Sequence, residues 1–178
     1  MTVPVRITIA LDEEVAKIVD QMRTELDVSQ SELIRRAIKF FNKYREPIEK
    51  VDNFQLKTYL DMLPEGEHII LDLEHWSAFL KSAQNDDEFW ETHEKVAKEH
   101  AETLSEKLKA PIRLLKRLEA ANFFTISTEN PENHTLILRS DRSQKFIKIF
   151  LENVIPAMGY DVEIKEGMTK LRIKFTKK

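Results

Sequence analysis

The sequence predicts an α+β protein: a small dimeric β-α-α module at the N-terminus, followed by a mixed α/β domain. Three observations predict it. Residues 5 to 11 alternate apolar and polar, the period of two that marks a short strand. Two stretches behind them repeat apolar residues at helical spacing: Val15, Ile18, Val19, Met22 and Leu26, then Leu33, Ile34, Ala37, Ile38, Phe41 and Tyr44. After Gly66 the pattern changes, and the chain closes in the order strand, helix, strand, strand.

Taken in order, Val5, Ile7, Ile9 and Leu11 form one face of the first strand, with Arg6, Thr8 and Ala10 on the other. Asp12 caps the first helix, and Asp27-Val28 break it. Ser29 starts the second helix, with Glu32 three residues on, the spacing of a capping box. Pro47 ends that helix or sits just past its end. Residues 47–66 read as a connector with some helix, closed by Pro64-Glu65-Gly66.

In residues 67–178, His68 to Leu71 is a strand candidate and Glu74 to Ala83 a helix. Asn85-Asp86-Asp87 breaks the chain and starts a long helix from Phe89 to Lys109. Pro111 then bends that helix or begins another, which ends near Ala121. Phe123 to Ser127 and Thr135 to Arg139 are strands, joined by the turn Asn130-Pro131-Glu132-Asn133. Residues 143–158 form a helix with Phe146, Ile147, Phe150, Leu151, Val154, Ile155 and Met158 inward, and Gly159 caps it. The alternations Tyr160, Val162, Ile164 and Leu171, Ile173, Phe175 are the last two strands, with Gly167 between them.

Composition narrows the function classes. No apolar run in the 178 residues approaches the roughly 20 that a spanning helix needs, and the N-terminus lacks the blocks of a signal peptide. The chain has no cysteine, which excludes disulfides and thiolate metal sites and suits a cytoplasmic protein. With three glycines it carries no Gly-rich phosphate loop, and no Gly-x-Ser-x-Gly or His-Glu-x-x-His motif occurs, so an enzyme is not expected. The net charge of −3 means that any nucleic-acid contact comes from a local patch or from helix ends. Residues 86–106 are acidic and the C-terminal stretch from Lys165 is basic. Both read first as solvated faces, with nonspecific phosphate affinity the second reading of the basic one.

One strand and two helices in about 46 residues bury too little to be stable alone. A two-fold partner resolves this: two copies of the strand pair antiparallel over four helices. Val5, Ile7, Ile9 and Leu11 would then face the helices, while Arg6, Thr8 and Ala10 project from the other side. A two-stranded ribbon fits the DNA major groove, where Arg donates twice to guanine and Thr bonds a base edge or touches a thymine methyl.

The run Val-Arg-Ile-Thr-Ile-Ala-Leu-Asp-Glu-Glu, an amphipathic helix, and then Ser29-Gln30-Ser31-Glu32-Leu33-Ile34-Arg35-Arg36-Ala37-Ile38 resembles the ribbon-helix-helix, or CopG-type, transcriptional repressors over the first quarter of the chain. The resemblance implies a homodimer that binds double-stranded DNA. It assigns base contacts to Arg6, Thr8 and Ala10, and a phosphate at the start of the second helix to Ser29, Gln30 and Ser31. Two departures stand out. Ala10 replaces a hydrogen-bonding side chain, which leaves base readout to Arg6 and Thr8. The turn before the second helix lacks the frequent glycine, a place Asp27 can fill because Asp tolerates left-handed geometry. Each position also has a bland reading: Thr8 as a strand former, Ser29 as an ordinary cap, and Arg35, Arg36 and Lys39 as a solvated helix face.

The expected domains are thus 1–46 for DNA binding, 47–66 as connector, and 67–178 for regulation or oligomerisation, with a small-molecule effector as a partner. The closing element order is similar to that of ligand-sensing domains of the vinyl reductase type, a likeness that assigns no residue. The histidine-cysteine set of nickel-responsive repressors is absent, and no metal or cofactor is expected. His93 and His100 are seven apart in one helical stripe, roughly 10 Å along the axis, and read as a partly buried seam against another helix or the dimer mate. Trp76, Phe79, Phe89, Trp90, Phe123 and Phe124 are expected in the core, with a pocket for an apolar effector as the alternative. The rival function is an antitoxin-like DNA-binding protein whose C-terminal part binds a protein partner. Such tails are short and disordered before binding, whereas this one is patterned as a folded domain.

Overall fold

Asp12 begins the first regular element of the computed structural model, which describes residues 5–64, 66 and 68–178. Its carboxylate accepts the Val15 N–H at 2.8 Å, satisfying one of the unpaired donors at the start of α1, Glu13–Glu25. The helix ends in a Schellman turn: Val28 N–H donates to Arg23 O at 3.1 Å and Asp27 N–H to Thr24 O at 3.4 Å. Asp27 takes the left-handed place in that turn, at φ 49, as its position before the second helix leads one to expect. Ser29 then caps α2, Gln30–Glu49. This helix runs two residues past Pro47, which sits inside its last turn rather than at or beyond its end. The proline costs the helix one backbone bond close to its terminus, where few further bonds depend on it.

The strand expected over residues 5–11 is not formed in the single chain, which has no regular structure before α1 among the described residues. Val5 is 86% exposed and Ile7 78%. A strand is held by a neighbour's N–H and C=O groups, and no described segment of this chain supplies them there. The chain divides into two compact units, Met1–Asp52 and Asn53–Lys178. In the first, Leu33 is the buried side chain among the described residues, and Val15, Ile18, Met22, Ile38 and Phe41 stay exposed.

The second unit opens with α3, Asn53–Met62, which lies in the segment expected as connector. After it come α4 (Leu73–Ser82), α5 (Asp87–Leu108) and α6 (Pro111–Ala120), which Pro111 opens as a new helix. Then follow β1 (Phe124–Thr128), β2 (Asn133–Leu138), α7 (Gln144–Ala157), β3 (Tyr160–Glu166) and β4 (Lys170–Lys177). The four strands form one antiparallel sheet in the order β1-β2-β4-β3. After β2, α7 carries the chain to the far edge, and the β3-β4 hairpin returns to the middle. Gly159 takes φ 83 to turn α7 into β3, a conformation that glycine adopts without strain.

Alternation sorts the sheet into two faces. Phe124, Leu136, Leu138, Leu171, Ile173 and Phe175 are buried in one core with Leu114 and Leu115 of α6 and Ile147, Leu151, Val154 and Ile155 of α7. The other face carries Thr135, Lys165, Arg172 and Lys174, and holds an open, charged groove of about 190 Å³. The basic C-terminal stretch is thus the solvated side of β3 and β4. Two expectations need correction. His68 to Leu71 is not a strand and has no regular structure, for the same want of a partner as residues 5–11. Phe79 is not core but 61% exposed, because α4 turns Trp76 and Leu80 inward instead. No helix among the described residues is long and apolar enough to cross a membrane.

The long α5 lies against α7, and Ala97 and Ala101, both buried on α5, let the two backbones approach closely. His93 sits in this seam, as its spacing predicts, but His100 does not share it: it is exposed, with its ring 5.9 Å from that of Phe150. The His93 ring stacks on Phe146, with centroids 3.7 Å apart. With Nε2 protonated, the ring donates to the Phe146 carbonyl at 2.9 Å. Burial holds its pKa below the usual 6.5, with the hydrogen bond to Phe146 opposing that shift. The neutral ring is therefore the native one. Stability from His93 is present above the unfolded value and is lost as pH falls from about 6.5 toward the lower folded value. His93→Gln keeps a donor for the carbonyl and removes the titration. Denaturation midpoints of the second unit measured from pH 5 to 8 should fall at the acid end for the native chain and stay flatter for the variant.

Candidate nucleic-acid interface

The residues expected to touch DNA lie on two pieces of the first unit. Arg6, Thr8 and Ala10 belong to the segment before α1, and all three are exposed. Their apolar alternates Val5, Ile7, Ile9 and Leu11 are exposed as well, so the single chain does not sort the two faces that the alternation implies. Exposure falls along the apolar set toward Leu11, where the Asp12 cap fixes the chain to α1.

Ser29, Gln30 and Ser31 form the start of α2, and all three are exposed. The Ser29 hydroxyl accepts the Glu32 N–H at 3.2 Å, and the Ser29 carbonyl accepts the Leu33 N–H at 2.9 Å. No acceptor among the described residues takes the N–H groups of Gln30 and Ser31. Two backbone donors thus face solvent at the positive end of a 20-residue helix. The Ser29 hydroxyl is only an acceptor in this cap, which leaves its own hydrogen as a third donor at the helix start.

The capping box is half built. Glu32 does not turn back to Ser29. One of its carboxylate oxygens accepts from Arg35 Nη2 at 2.8 Å and the other from Arg36 Nε at 3.0 Å. These hydrogen bonds, Arg35's first, hold the Glu32 carboxyl below its usual value, so it is charged at neutral pH. All three side chains are well exposed, so the pairs add little to stability. Beyond Glu32 the helix carries Arg35, Arg36, Lys39, Lys43 and Arg45 with no acid before Glu46. Lys43 and Arg45 extend the run of cations past the residues that the motif singles out. Their signal in the sequence is this acid-free stretch.

The second unit's titratable and aromatic groups are engaged otherwise. His134 is buried on Phe175, with Nδ1 3.0 Å from the Thr128 hydroxyl. The Asp72 carboxylate lies 2.6 Å from Nδ1 of the exposed His75, while it caps α4. Trp76 meets Phe123 and Phe146 edge to face, and Trp90 packs on Phe89 under the Lys145 ammonium. No cluster of three or more His, Asp or Glu side chains able to hold a metal occurs among the described residues.

Glu32 restrains two cations beside the open N–H groups, and Glu32→Gln removes the charge that holds them there. For the DNA binding that the resemblance implies, duplex affinity should rise, and the plot of log affinity against log salt should steepen by about 0.9 for each guanidinium that then reaches a phosphate. Titrations of labelled duplex at several salt concentrations read the slope. An unaltered slope would make Arg35 and Arg36 spectators.

No curated protein and no solved structure gives a significant match to the chain. Residues 5–43, from the exposed alternating segment through α1 and into α2, match the family described as ribbon-helix-helix protein, copG family.

Proposed function

We propose that this chain is a sequence-specific DNA-binding transcriptional repressor that works as a homodimer. The match of residues 5–43 to the ribbon-helix-helix family carries the reading. The physics of the first unit supports it. Val5, Ile7, Ile9 and Leu11 are exposed in the single chain, and a two-stranded ribbon made with a second copy would seat them on the four helices. Each large apolar side chain so covered contributes on the order of 1.5–3 kcal/mol if it goes from exposed to buried. Arg6 and Thr8 then enter the major groove as base readers, with Ala10 against a thymine methyl. The N–H groups of Gln30 and Ser31 hold a phosphate, with the Ser29 cap fixing the helix start. The second unit, which has a core of its own, acts in this reading as the regulatory or oligomerisation domain. It sets the spacing of the two DNA-binding modules, and an effector would act by favouring one spacing over another.

The reading is tested on duplexes selected from a random library by the native chain. Arg6→Ala should weaken binding to the selected site by about 1–3 kcal/mol for each bidentate arginine–guanine pair that it removes, with a much smaller change on random duplex. Equal affinities of variant and native chain for the selected site would remove the ribbon from base reading. A chain ending at Asp52 should bind the selected site with altered affinity or altered half-site spacing relative to the full chain. If footprint and affinity are the same for both, the second unit has no part in DNA binding.

A further inference from the structure

Among the described residues, the exposed large apolar side chains are unevenly spread along the chain. All but Val96, Ile137 and Met168 fall before residue 80. Through the first unit they are the strand and helix faces discussed above. They do not stop at its end, however. Phe54, Leu60, Leu63, Ile69, Ile70, Leu71, Leu73 and Phe79 continue the series through α3 and α4, in a unit whose other large apolar side chains, Val96, Ile137 and Met168 apart, are at least partly covered.

The densest part is His68 to Leu73. Ile69 is 90% exposed and Ile70 75%. Two β-branched residues side by side favour a strand, and solvent is a costly place for both. The segment is also anchored. Asp72 caps α4, accepting the N–H groups of Glu74 and His75 at 3.0 and 2.9 Å, and α4 is held to its unit by buried Leu80 and by Trp76 on Phe123 and Phe146. Ile69 and Ile70 therefore project from a fixed base.

This construction repeats that of the N-terminus. In both places a strand-like apolar segment ends in Leu-Asp, and the Asp caps the next helix: Leu11-Asp12 before α1 and Leu71-Asp72 before α4. Of the segments the sequence predicts as strands, these two form none in the single chain, and both leave their apolar side chains in water. The first is completed by a second copy in the function proposed above. The same copy offers the second segment its own counterpart and the outer edges of β1 and β3, which end the four-stranded order β1-β2-β4-β3. Once the N-terminal modules have joined, the second contact is intramolecular in effect, at an effective concentration of about millimolar.

We infer that residues 68–79 form a second dimer contact, in which His68–Leu71 becomes a strand on the partner copy and Phe79 packs beside it. This rests on the homodimer proposed above. The test uses the full chain, with sedimentation equilibrium and hydrogen exchange of residues 68–72 read on the native protein, on Ile69→Glu/Ile70→Glu and on Ile7→Lys. Both isoleucines already lie in water in the single chain, so the double variant should keep the native circular dichroism. Its dimer dissociation constant should rise roughly tenfold or more. Amides 69–71 should exchange slowly in the native dimer and fast in the double variant. An unchanged dissociation constant together with fast exchange in the native dimer overturns this contact and leaves the ribbon dimer standing. Loss of the dimer in Ile69→Glu/Ile70→Glu but not in Ile7→Lys keeps the contact and overturns the ribbon. A native chain that is monomeric at every concentration overturns both.

Discussion

A β-strand cannot satisfy itself, and the first unit is arranged around that constraint. Residues 5–11 have the alternation of a strand, but the described chain offers them no N–H or C=O partner. Without the strand, α1 and α2 have little to close over. Leu33 is buried, while Ile18, Met22, Ile38 and Phe41 keep half of their surface in water or nearly so. In the proposed dimer one pairing event removes the open edges, covers the helices and turns Arg6, Thr8 and Ala10 to one side. Folding, association and the creation of a DNA-reading surface would then be a single step.

The second unit shows the opposite economy. Its strands lie close enough in the chain to pair with each other: β1 with β2 across a short turn, and β3 with β4 across Gly167. The helix α7 between the hairpins covers the face that they share. Leu136, Leu151, Ile155 and Leu171 consequently reach full burial within one chain. Polar groups drawn into this core are satisfied: His93 bonds the Phe146 carbonyl and His134 the Thr128 hydroxyl, and no buried side-chain nitrogen or oxygen among the described residues lacks a hydrogen-bond partner. His93 and His134 are thereby part of the packing.

At the start of α2 three demands meet on few residues. The helix needs a cap, which the Ser29 hydroxyl supplies to Glu32. Its first turn favours an acid, which Glu32 provides. An anion site needs open N–H groups and positive charge nearby. The N–H groups of Gln30 and Ser31 stay uncovered and the Glu32 carboxylate is tied to Arg35 and Arg36, which in the proposed function would lower its cost to an approaching phosphate.

Helix positions were legible because their signals are local. Asp12, Ser29 and Asp86 cap where the apolar periods begin, Asp27 takes the left-handed turn, and Gly159 closes α7, all within a few residues of the helix concerned. The seam of His93 follows equally from the 3.6-residue period, and so do the inward residues of α7. Strand formation is a different kind of event. The alternation of Val5 to Leu11 or of Tyr160 to Ile164 says which side chains share a face, but not whether a neighbour exists. The two segments without one, 5–11 and 68–71, look no weaker in sequence than β3. The order β1-β2-β4-β3, the placement of Phe146 over the His93 ring and the turning of Phe79 outward likewise depend on residues distant in the chain. Periodicity records the direction of each side chain from its own backbone, and only tertiary packing decides what that side chain meets.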